Sequence, residues 1–234
     1  MFLFLKLYLA HLIADFILQF EELYQLKVRS IIGHVLHVAI HALVSLALVH
    51  PYLQYPWMWL FIFLVTGIHF VQDRIKYRLQ QNRKIMFLCF VVDQIIHALF
   101  LGTILFFPLS RQKLGFVNFP RWDAFYQNDG ITAFLITFIL ATFVGSYLFH
   151  AFRRSYVPGT REDHAITAFE MSYGIFERTA ILVIFISPTN IFLILASPLV
   201  GCLRLFSKTL ADRLDFAMSF VYAALIGLCF RRMF

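Results

Sequence analysis

Four successive apolar segments in the first hundred residues each carry one pair of side chains of the kind that binds metal ions. The two members of every pair are four positions apart: His11/Asp15, His37/His41, His69/Asp73 and Asp93/His97. On an α-helix this spacing puts both side chains on one face, one turn apart. Two imidazoles, or an imidazole and a carboxylate, can then bind one cation together. Four such faces turned toward one axis would bring five imidazoles and three carboxylates into one bundle.

The donor atoms of these pairs are nitrogens and oxygens without any thiolate, and such donors suit Zn²⁺, Mn²⁺ or Fe²⁺. Eight ligands are too many for one tetrahedral ion. The pattern therefore favours either a dinuclear site or one ion whose ligands are supported by the remaining groups. The alternatives to a divalent metal are a metal-free polar network or proton relay, and haem ligation by two opposed histidines.

Two glutamines accompany the pairs. Gln19 follows Asp15 by one turn, and Gln94 follows Asp93 directly. We expect their amides to hold a ligand by a hydrogen bond, or to bind substrate, with simple packing between helices as the alternative. Such supporting contacts orient metal ligands in many known sites.

Composition excludes an ordinary soluble domain. Of the 234 residues, 61% are hydrophobic and 14% are charged, whereas a soluble domain has about a quarter charged residues. The basic residues behind the net charge of +7 lie in short loops between apolar runs, where they orient a membrane protein, so no nucleic-acid partner is expected. Cys89, Cys202 and Cys229 form no C-x-x-C motif, which argues against a disulfide framework or a thiolate metal site. The predicted fold class is an all-α polytopic transmembrane helical bundle.

About twenty mostly apolar residues are needed to span a membrane. Eight stretches of the chain qualify, which predicts about seven or eight spans: 2–20, 30–50, 57–79, 85–107, 130–152, 165–187, 189–207 and 211–231. The predicted organisation is a four-helix bundle with a polar, metal-binding core over 1–107, an interfacial loop over 108–129, and C-terminal transmembrane helices of the same domain over 130–234.

Basic residues alternate between the loops, which predicts the orientation of the spans. Lysines and arginines follow the first, third, fifth and seventh spans, whereas the turns at 50–56 and 187–190 carry none. By the positive-inside rule this places both termini outside, although the basic residues of 108–129 and of the C-terminus do not fit. Because the helices alternate in direction, all four pairs then fall in the same inner half of the bilayer.

Four basic residues lie at the predicted level of the pairs: Lys27, Arg29, Arg74 and Lys76. We expect them either to bind a phosphate head group or to act only as orientation signals.

The sixth predicted span is an apolar run that is interrupted by Glu170, Glu177 and Arg178. Because ionisable side chains within a membrane face a cavity or a partner, we expect Glu177 to support the metal site from its other side or to pair with a basic residue such as Arg204. A structural ion pair between helices is the alternative.

Several segments resemble the bacterial membrane family known as domain of unknown function 3307: LAHLIADFILQ (9–19), LHVAIHALVSLAL (36–48), HFVQDRIK (69–76) and VDQIIHALF (92–100). The resemblance implies a location in the bacterial inner (plasma) membrane as a multi-pass protein. It also implies a polar core made of His11, Asp15, Gln19, His37, His41, His69, Asp73, Asp93, Gln94 and His97. The second half matches less well: YGIFER (173–178) resembles a Gly-x-x-Glu-Arg segment of longer members, whereas a lysine expected near 200–202 is absent. The H-x-x-x-D spacing also resembles membrane-bound metal-dependent hydrolases of the bacterial SOS-regulated type.

The first functional hypothesis is a metal-dependent membrane hydrolase or transferase. The metal would activate a bound water and polarise a phosphoryl or acyl oxygen. Asp15, Asp73 and Asp93 would share the roles of ligand and catalytic base, and the histidines would complete the ligand set. A lipid or lipid-linked phosphate at the inner leaflet is the expected substrate.

Two alternatives belong to other classes of protein. A transporter or channel for a divalent metal or proton would need ionisable groups across the whole membrane, and the outer half of the first four spans has few. In a non-catalytic scaffold or effector, the polar core would only specify helix packing. The lipid membrane is the expected partner in every case, and a homo-oligomer is a further alternative.

Overall fold

The structure, a computed structural model, describes residues 1–79, 82–116, 120–157, 168–187, 191–201, 204, 206 and 210–233. All regular structure within these ranges is helical, so the predicted all-α fold is confirmed. Cys202 and residues 188–190 of the predicted turn lie outside the described residues. The α-helices of the described ranges are α1 (Phe2–Leu12), α2 (Glu21–Arg29), α3 (Ile31–Leu48), α4 (Pro56–Leu79), α5 (Met86–Gly102), α6 (Pro120–Tyr126), α7 (Asp129–Ile139), α8 (Gly145–Tyr156), α9 (Ala168–Ile186), α10 (Ile191–Ala196) and α11 (Leu210–Met233).

Shorter segments join or extend these helices. Two of them are π-helical, Ile13–Ile17 after α1 and Leu140–Val144 between α7 and α8. The others are 3₁₀ turns: His50–Tyr52, Arg83–Ile85, Thr103–Phe106, Pro108–Arg111 and Ser197–Gly201.

Five helical stretches among the described residues are long and apolar enough to cross a membrane: Ile31–Leu48, Pro56–Leu79, Met86–Phe106, Asp129–Tyr156 and Asp212–Met233. Phe2–Ile17 with Glu21–Arg29 would make a sixth if this bent pair is one span. Such helices are typical of a membrane protein. The predicted sixth span contains α9, which is not in this set because three charged residues interrupt it. The count of seven or eight spans therefore stays a prediction.

The first predicted span is broken rather than straight. Its helix changes to π geometry at Ile13–Ile17, and α2 then continues at an angle of 87°. Glu21 and Glu22 begin α2, and Lys27 and Arg29 lie in its last turn, which is the charge order that the helix dipole favours.

Gly33 allows α2 to lie against α3. A Cβ atom at residue 33 would lie 2.3 Å from the backbone carbon of Leu26 and 2.3 Å from the backbone nitrogen of Lys27. Only glycine permits this approach of two backbones. Ser30 caps the start of α3, where its Oγ accepts a hydrogen bond from the Gly33 N–H over 3.1 Å. The position of Lys27 therefore depends on Gly33 in the following helix and on Ser30, which caps that helix.

Contacts divide the chain into two compact units, residues 1–82 with 88–136, and residues 83–87 with 137–234. The predicted divisions at 107 and 129 stay a prediction. In the first unit a core of aromatic and aliphatic side chains packs around the early part of α1: Phe2, Leu3, Leu7, Tyr52, Met58, Phe61, Leu101 and Ile104.

The predicted interfacial segment packs onto this core. The Tyr52 hydroxyl donates to the Gln112 carbonyl over 2.6 Å and accepts from the Leu114 N–H over 3.1 Å. The Tyr126 hydroxyl donates to the Leu48 carbonyl over 2.8 Å. Trp122 on α6 is 70% exposed, as expected for a side chain at a membrane interface.

Candidate metal centre

All eight predicted ligand residues lie in the first unit, and none is more than 9% exposed. His11 comes from α1 and Asp15 from the π-helical segment, while the other pairs come from α3, α4 and α5. The structure therefore brings the four pairs into one buried cluster. Metal binding by these residues stays a prediction.

Four ligand atoms surround one point of this cluster. The Asp15 Oδ1 atom lies 3.0 Å from His41 Nε2, 3.1 Å from His37 Nε2 and 3.8 Å from His69 Nε2. His37 Nε2 and His69 Nε2 are 3.2 Å apart. The ligand atoms of these four residues all lie within 4.8 Å of one another.

These separations match the spacing of ligands around a metal ion. Bonds from Zn²⁺ to imidazole nitrogen or carboxylate oxygen are about 2.0–2.2 Å long, so tetrahedral ligand atoms lie about 3.3–3.6 Å apart. The four separations above run from 3.0 to 3.8 Å and so bracket this range. A small divalent cation therefore fits the donor set with little rearrangement.

The π-helical segment gives Asp15 its contacts. Such segments add a residue to a helical turn and are frequent at functional sites. Oδ1 of Asp15 contacts three imidazoles, while Oδ2 lies 3.4 Å from His11 Nε2. One carboxylate thus contacts four of the five histidines of the cluster. The i,i+4 pattern does not reveal the π geometry, because the pattern assumes a regular α-helix.

The remaining histidine, His97, lies behind His69. Its Nε2 atom is 2.6 Å from His69 Nδ1, so the two nitrogens of His69 face different neighbours. His11, His69 and His97 form a second group of potential ligands within 4.8 Å. A cavity of about 20 Å³ lies beside these rings and is lined by His11, His41, His69 and His97. It has room for about one water molecule.

Two lysines reach the cluster and pair with carboxylates. Lys27 Nζ lies 2.5 Å from Asp73 Oδ2, and Lys76 Nζ lies 2.6 Å from Asp93 Oδ2. Asp73 Oδ2 is also 3.3 Å from His37 Nε2, so this carboxylate lies beside the four-atom group. Lys76 follows Asp73 by three residues, a spacing that signals a shared helix face. No local pattern points to Lys27, because the bend before α2 brings it there.

The two glutamines contact these ion pairs. Lys27 Nζ donates to Gln19 Oε1 over 2.8 Å, and Gln94 Nε2 donates to Asp93 Oδ2 over 3.1 Å. Both amides therefore lie where they can hold charged groups in place. Of the other basic residues predicted at this level, Arg29 is exposed and Arg74 is half-buried.

The charges within the cluster do not balance by themselves. Three carboxylates face two ammonium groups, so one negative charge is left over when the five imidazoles are neutral. An uncompensated charge in a buried site is costly. One protonated histidine would balance this charge, whereas a divalent cation would change it to a net charge of +1.

His34 is also buried, but its contacts are different. Its Nδ1 atom lies 3.3 Å from the Ser30 carbonyl oxygen of its own helix, and its ring packs against Phe70 and Tyr77. It belongs to neither group of potential ligands.

Glu177 lies in the second unit, where it is fully buried. Its Oε2 atom is 3.9 Å from Arg204 Nε, the partner that the sequence suggested. The neighbouring Arg178 donates to the Ser219 hydroxyl over 3.1 Å and to the Thr142 carbonyl of the π-helical segment over 2.9 Å. The second unit thus has a buried polar network of its own. A role of Glu177 at the metal centre stays a prediction.

The family model described as protein of unknown function (DUF3307) matches residues 3–122, half of the chain and all four pairs. The chain belongs to the DUF3307 family. Comparison with curated proteins and with solved structures found no match. In this DUF3307 protein the whole candidate centre lies within the matched residues, whereas the Glu177 network lies beyond them. The likeness to membrane-bound hydrolases stays a prediction.

Proposed function

We propose that this DUF3307 protein is a multi-pass protein of the bacterial plasma membrane that uses a divalent metal ion in hydrolysis or group transfer on a lipid phosphate or lipid-linked phosphate. The observation that carries the proposal is the spacing of Asp15 Oδ1 and the Nε2 atoms of His37, His41 and His69. These nitrogen and oxygen donors suit Zn²⁺, Mn²⁺ or Fe²⁺. Four protein ligands fill a tetrahedral ion, so catalysis would need an ion that takes a fifth ligand; such an ion would polarise a phosphoryl or acyl oxygen and activate water.

Asp73 is the residue best placed to accept a proton. Its Oδ2 atom lies 3.3 Å from His37 Nε2, next to the four ligand atoms. Because Lys27 pairs with this oxygen over 2.5 Å, which weakens the carboxylate as a base, Asp73 would accept a proton as this pair opens. In this proposal Asp15 is the ligand carboxylate and Asp73 is the general base.

The lysines and arginines take separate roles. Because Lys27 and Lys76 pair with buried carboxylates, we assign them to charge compensation within the cluster. Two arginines remain to contact a phosphate head group: Arg29, which is exposed, and Arg74, which is half-buried. An arginine side chain can donate two parallel hydrogen bonds to a phosphate.

An apolar core borders the cluster along the earlier part of α1. Phe2, Leu3 and Leu7 precede His11 along α1 and belong to an apolar core. Lys6 in this region donates to the Tyr126 carbonyl over 2.5 Å. A transporter needs a polar path through the whole membrane, and the apolar core stands against one. The cavity of about 20 Å³ is too small to enclose a head group, so the substrate would bind at the surface of the cluster.

A metal-free polar network is the second candidate. The observation that favours it is the 2.6 Å between His69 Nδ1 and His97 Nε2, a short contact that one shared proton explains without an ion. One protonated histidine would then balance the charge. A scaffold or effector would use such a network only to fix the helices.

Metal analysis of the purified protein tests the proposal. We expect about one divalent ion per chain for a site with four protein ligands, and loss of the ion in His41→Ala. His50→Ala is the matched control, because His50 lies outside both ligand groups. Metal content far below one ion per chain in the wild-type protein would favour the metal-free network.

Activity is tested separately, with phosphate release from vesicles that contain a phosphatidic acid as the probe. The Asp73→Asn variant should keep its metal and lose about 10²–10⁴-fold in kcat, the range for a general base. A metal-loaded protein without phosphate release, but with metal flux into proteoliposomes, would instead indicate transport.

A further inference from the structure

A line of contacts runs from the candidate centre to the charged end of α4. His69 Nδ1 lies 2.6 Å from His97 Nε2, and His97 Nδ1 lies 3.6 Å from Asp93 Oδ1. Asp93 Oδ2 in turn is 2.6 Å from Lys76 Nζ and accepts a hydrogen bond from Gln94. Every member except Gln94 is at most about one-fifth exposed.

This line determines which nitrogen of each histidine carries the proton. A neutral imidazole has one N–H donor and one bare nitrogen. If His69 Nε2 faces the cation, it must be bare, so Nδ1 carries the proton and donates to His97 Nε2. His97 then carries its own proton on Nδ1, which faces Asp93. Each assignment forces the next one.

The distances also argue against His97 as a ligand beside His69. Two ligand atoms of one tetrahedral ion lie about 3.3–3.6 Å apart. The 2.6 Å between His69 Nδ1 and His97 Nε2 is too short for that and lies just below the usual range of hydrogen bonds from nitrogen donors, so a proton shared between the two rings explains it better. His97 therefore contacts His69 as an acceptor.

We infer that His97 and Asp93 are positioning residues, which act through His69 and hold its Nε2 atom toward the cation; the inference rests on the proposed metal centre. The sequence pattern predicted both residues to be metal ligands. Lys76 and Gln94 both contact Oδ2 of Asp93, which leaves Oδ1 to His97. Because the Lys76–Asp93 pair is neutral overall, this line orients His69 without adding net charge beside the cation.

Cobalt binding to the full-length protein tests the inference, with Co²⁺ alone as the probe and its visible spectrum as the readout. His97→Phe keeps a ring but removes the acceptor for His69, and we expect Co²⁺ affinity to fall about 10–100-fold, as for other groups that support ligands. His97→Gln restores an acceptor oxygen and should recover most of the affinity. Both variants should bind the same number of ions as the wild-type protein with the same spectrum.

A double variant tests Asp93 without unbalancing charge. Lys76→Met with Asp93→Leu replaces a buried ion pair by apolar side chains, a change that proteins often tolerate, and should lower Co²⁺ affinity as His97→Phe does. This variant also keeps the test valid if His97→Phe does not fold. His34→Phe is the matched control and should bind Co²⁺ like the wild type, because His34 packs against Phe70 and Tyr77 instead.

Two outcomes would overturn the inference. If His97→Phe and the double variant bind Co²⁺ as tightly as the wild type, neither residue positions His69. If His97→Phe or His97→Gln loses an ion or changes the Co²⁺ spectrum, His97 is itself a ligand. In both cases the wild-type protein still binds metal, so these outcomes differ from a wild-type protein without metal, which would refute the proposed function.

Discussion

The Asp15 carboxylate contacts histidines from several helices, because each of its two oxygens faces different imidazole rings. Oδ1 faces His37, His41 and His69, and Oδ2 faces His11. A carboxylate with so many imidazole neighbours can serve as a charged ligand for a cation or as the counter-charge for an imidazolium. The residue is therefore the one whose replacement separates the two explanations of the cluster most clearly.

The first prediction concerns the charge of this residue. Asp15→Asn keeps the shape of the side chain but removes its negative charge, so we expect metal affinity to fall by more than about 100-fold, beyond the range for supporting groups. Isothermal titration with Zn²⁺ measures this. Asp129→Asn, at an exposed ion pair with Lys113, is the control. Unchanged Zn²⁺ affinity in Asp15→Asn would contradict the ligand role.

The second prediction concerns Lys27 and Asp73, whose side chains are 9% and 3% exposed. Lys27→Met leaves the Asp73 carboxylate buried without its ammonium partner, and breaking such a pair costs about 3–5 kcal/mol. The double variant Lys27→Met with Asp73→Asn should be markedly more stable than Lys27→Met alone. Thermal unfolding in detergent compares them. Equal stability of the single and double variants would show that the pair is unimportant for folding.

The short helix α2 contributes one residue, Lys27, to the candidate centre. It has nine residues and is too polar to be a span on its own, yet its bend of 87° brings Lys27 to Asp73. The bend follows the π-helical segment that holds Asp15. The π-helical segment therefore positions the Asp15 carboxylate, and the bend that follows it brings Lys27 to Asp73.

The third prediction tests how α2 is held. Gly33→Ala puts a Cβ atom 2.3 Å from the backbone of α2, so the two helices must separate, at a cost of about 1–3 kcal/mol as for other overpacked sites. Gly67→Ala on α4 is the matched control, because a Cβ atom there meets nothing within 4 Å and alanine favours the helix by about 0.5–1 kcal/mol. Thermal unfolding in detergent distinguishes the two. A Gly33→Ala protein as stable as Gly67→Ala would rule out this close packing.

For the whole molecule, the division into two units separates the candidate centre from the Arg178 network. All residues of the centre lie in the first unit, whereas Arg178 binds Thr142 and Ser219 in the second. The family match at residues 3–122 also follows the first unit. Among the described residues, the centre and the Arg178 network therefore lie in different units, and we expect a change in one of them to leave the other intact.

The fourth prediction follows from this separation. Arg178→Met removes the donors to Ser219 and Thr142 and should destabilise the protein by at least about 1.5–3 kcal/mol, the value of a hydrogen bond to a charged group. The number of metal ions bound per folded chain should stay the same. Metal analysis of the monodisperse fraction after gel filtration measures it. Loss of metal from a folded Arg178→Met protein would show that the centre depends on the second unit.

The sequence by itself determined the helical class, the apolar stretches and the four pairs, because helix periodicity and hydropathy are local properties that a few neighbouring residues express. It also placed the two members of each pair on one face. Only the tertiary structure decided that Asp15 lies in a π-helical turn, that Lys27 and Lys76 pair with carboxylates, and that His97 contacts His69. Those contacts join residues from separate helices, and their geometry depends on how the helices bend and pack.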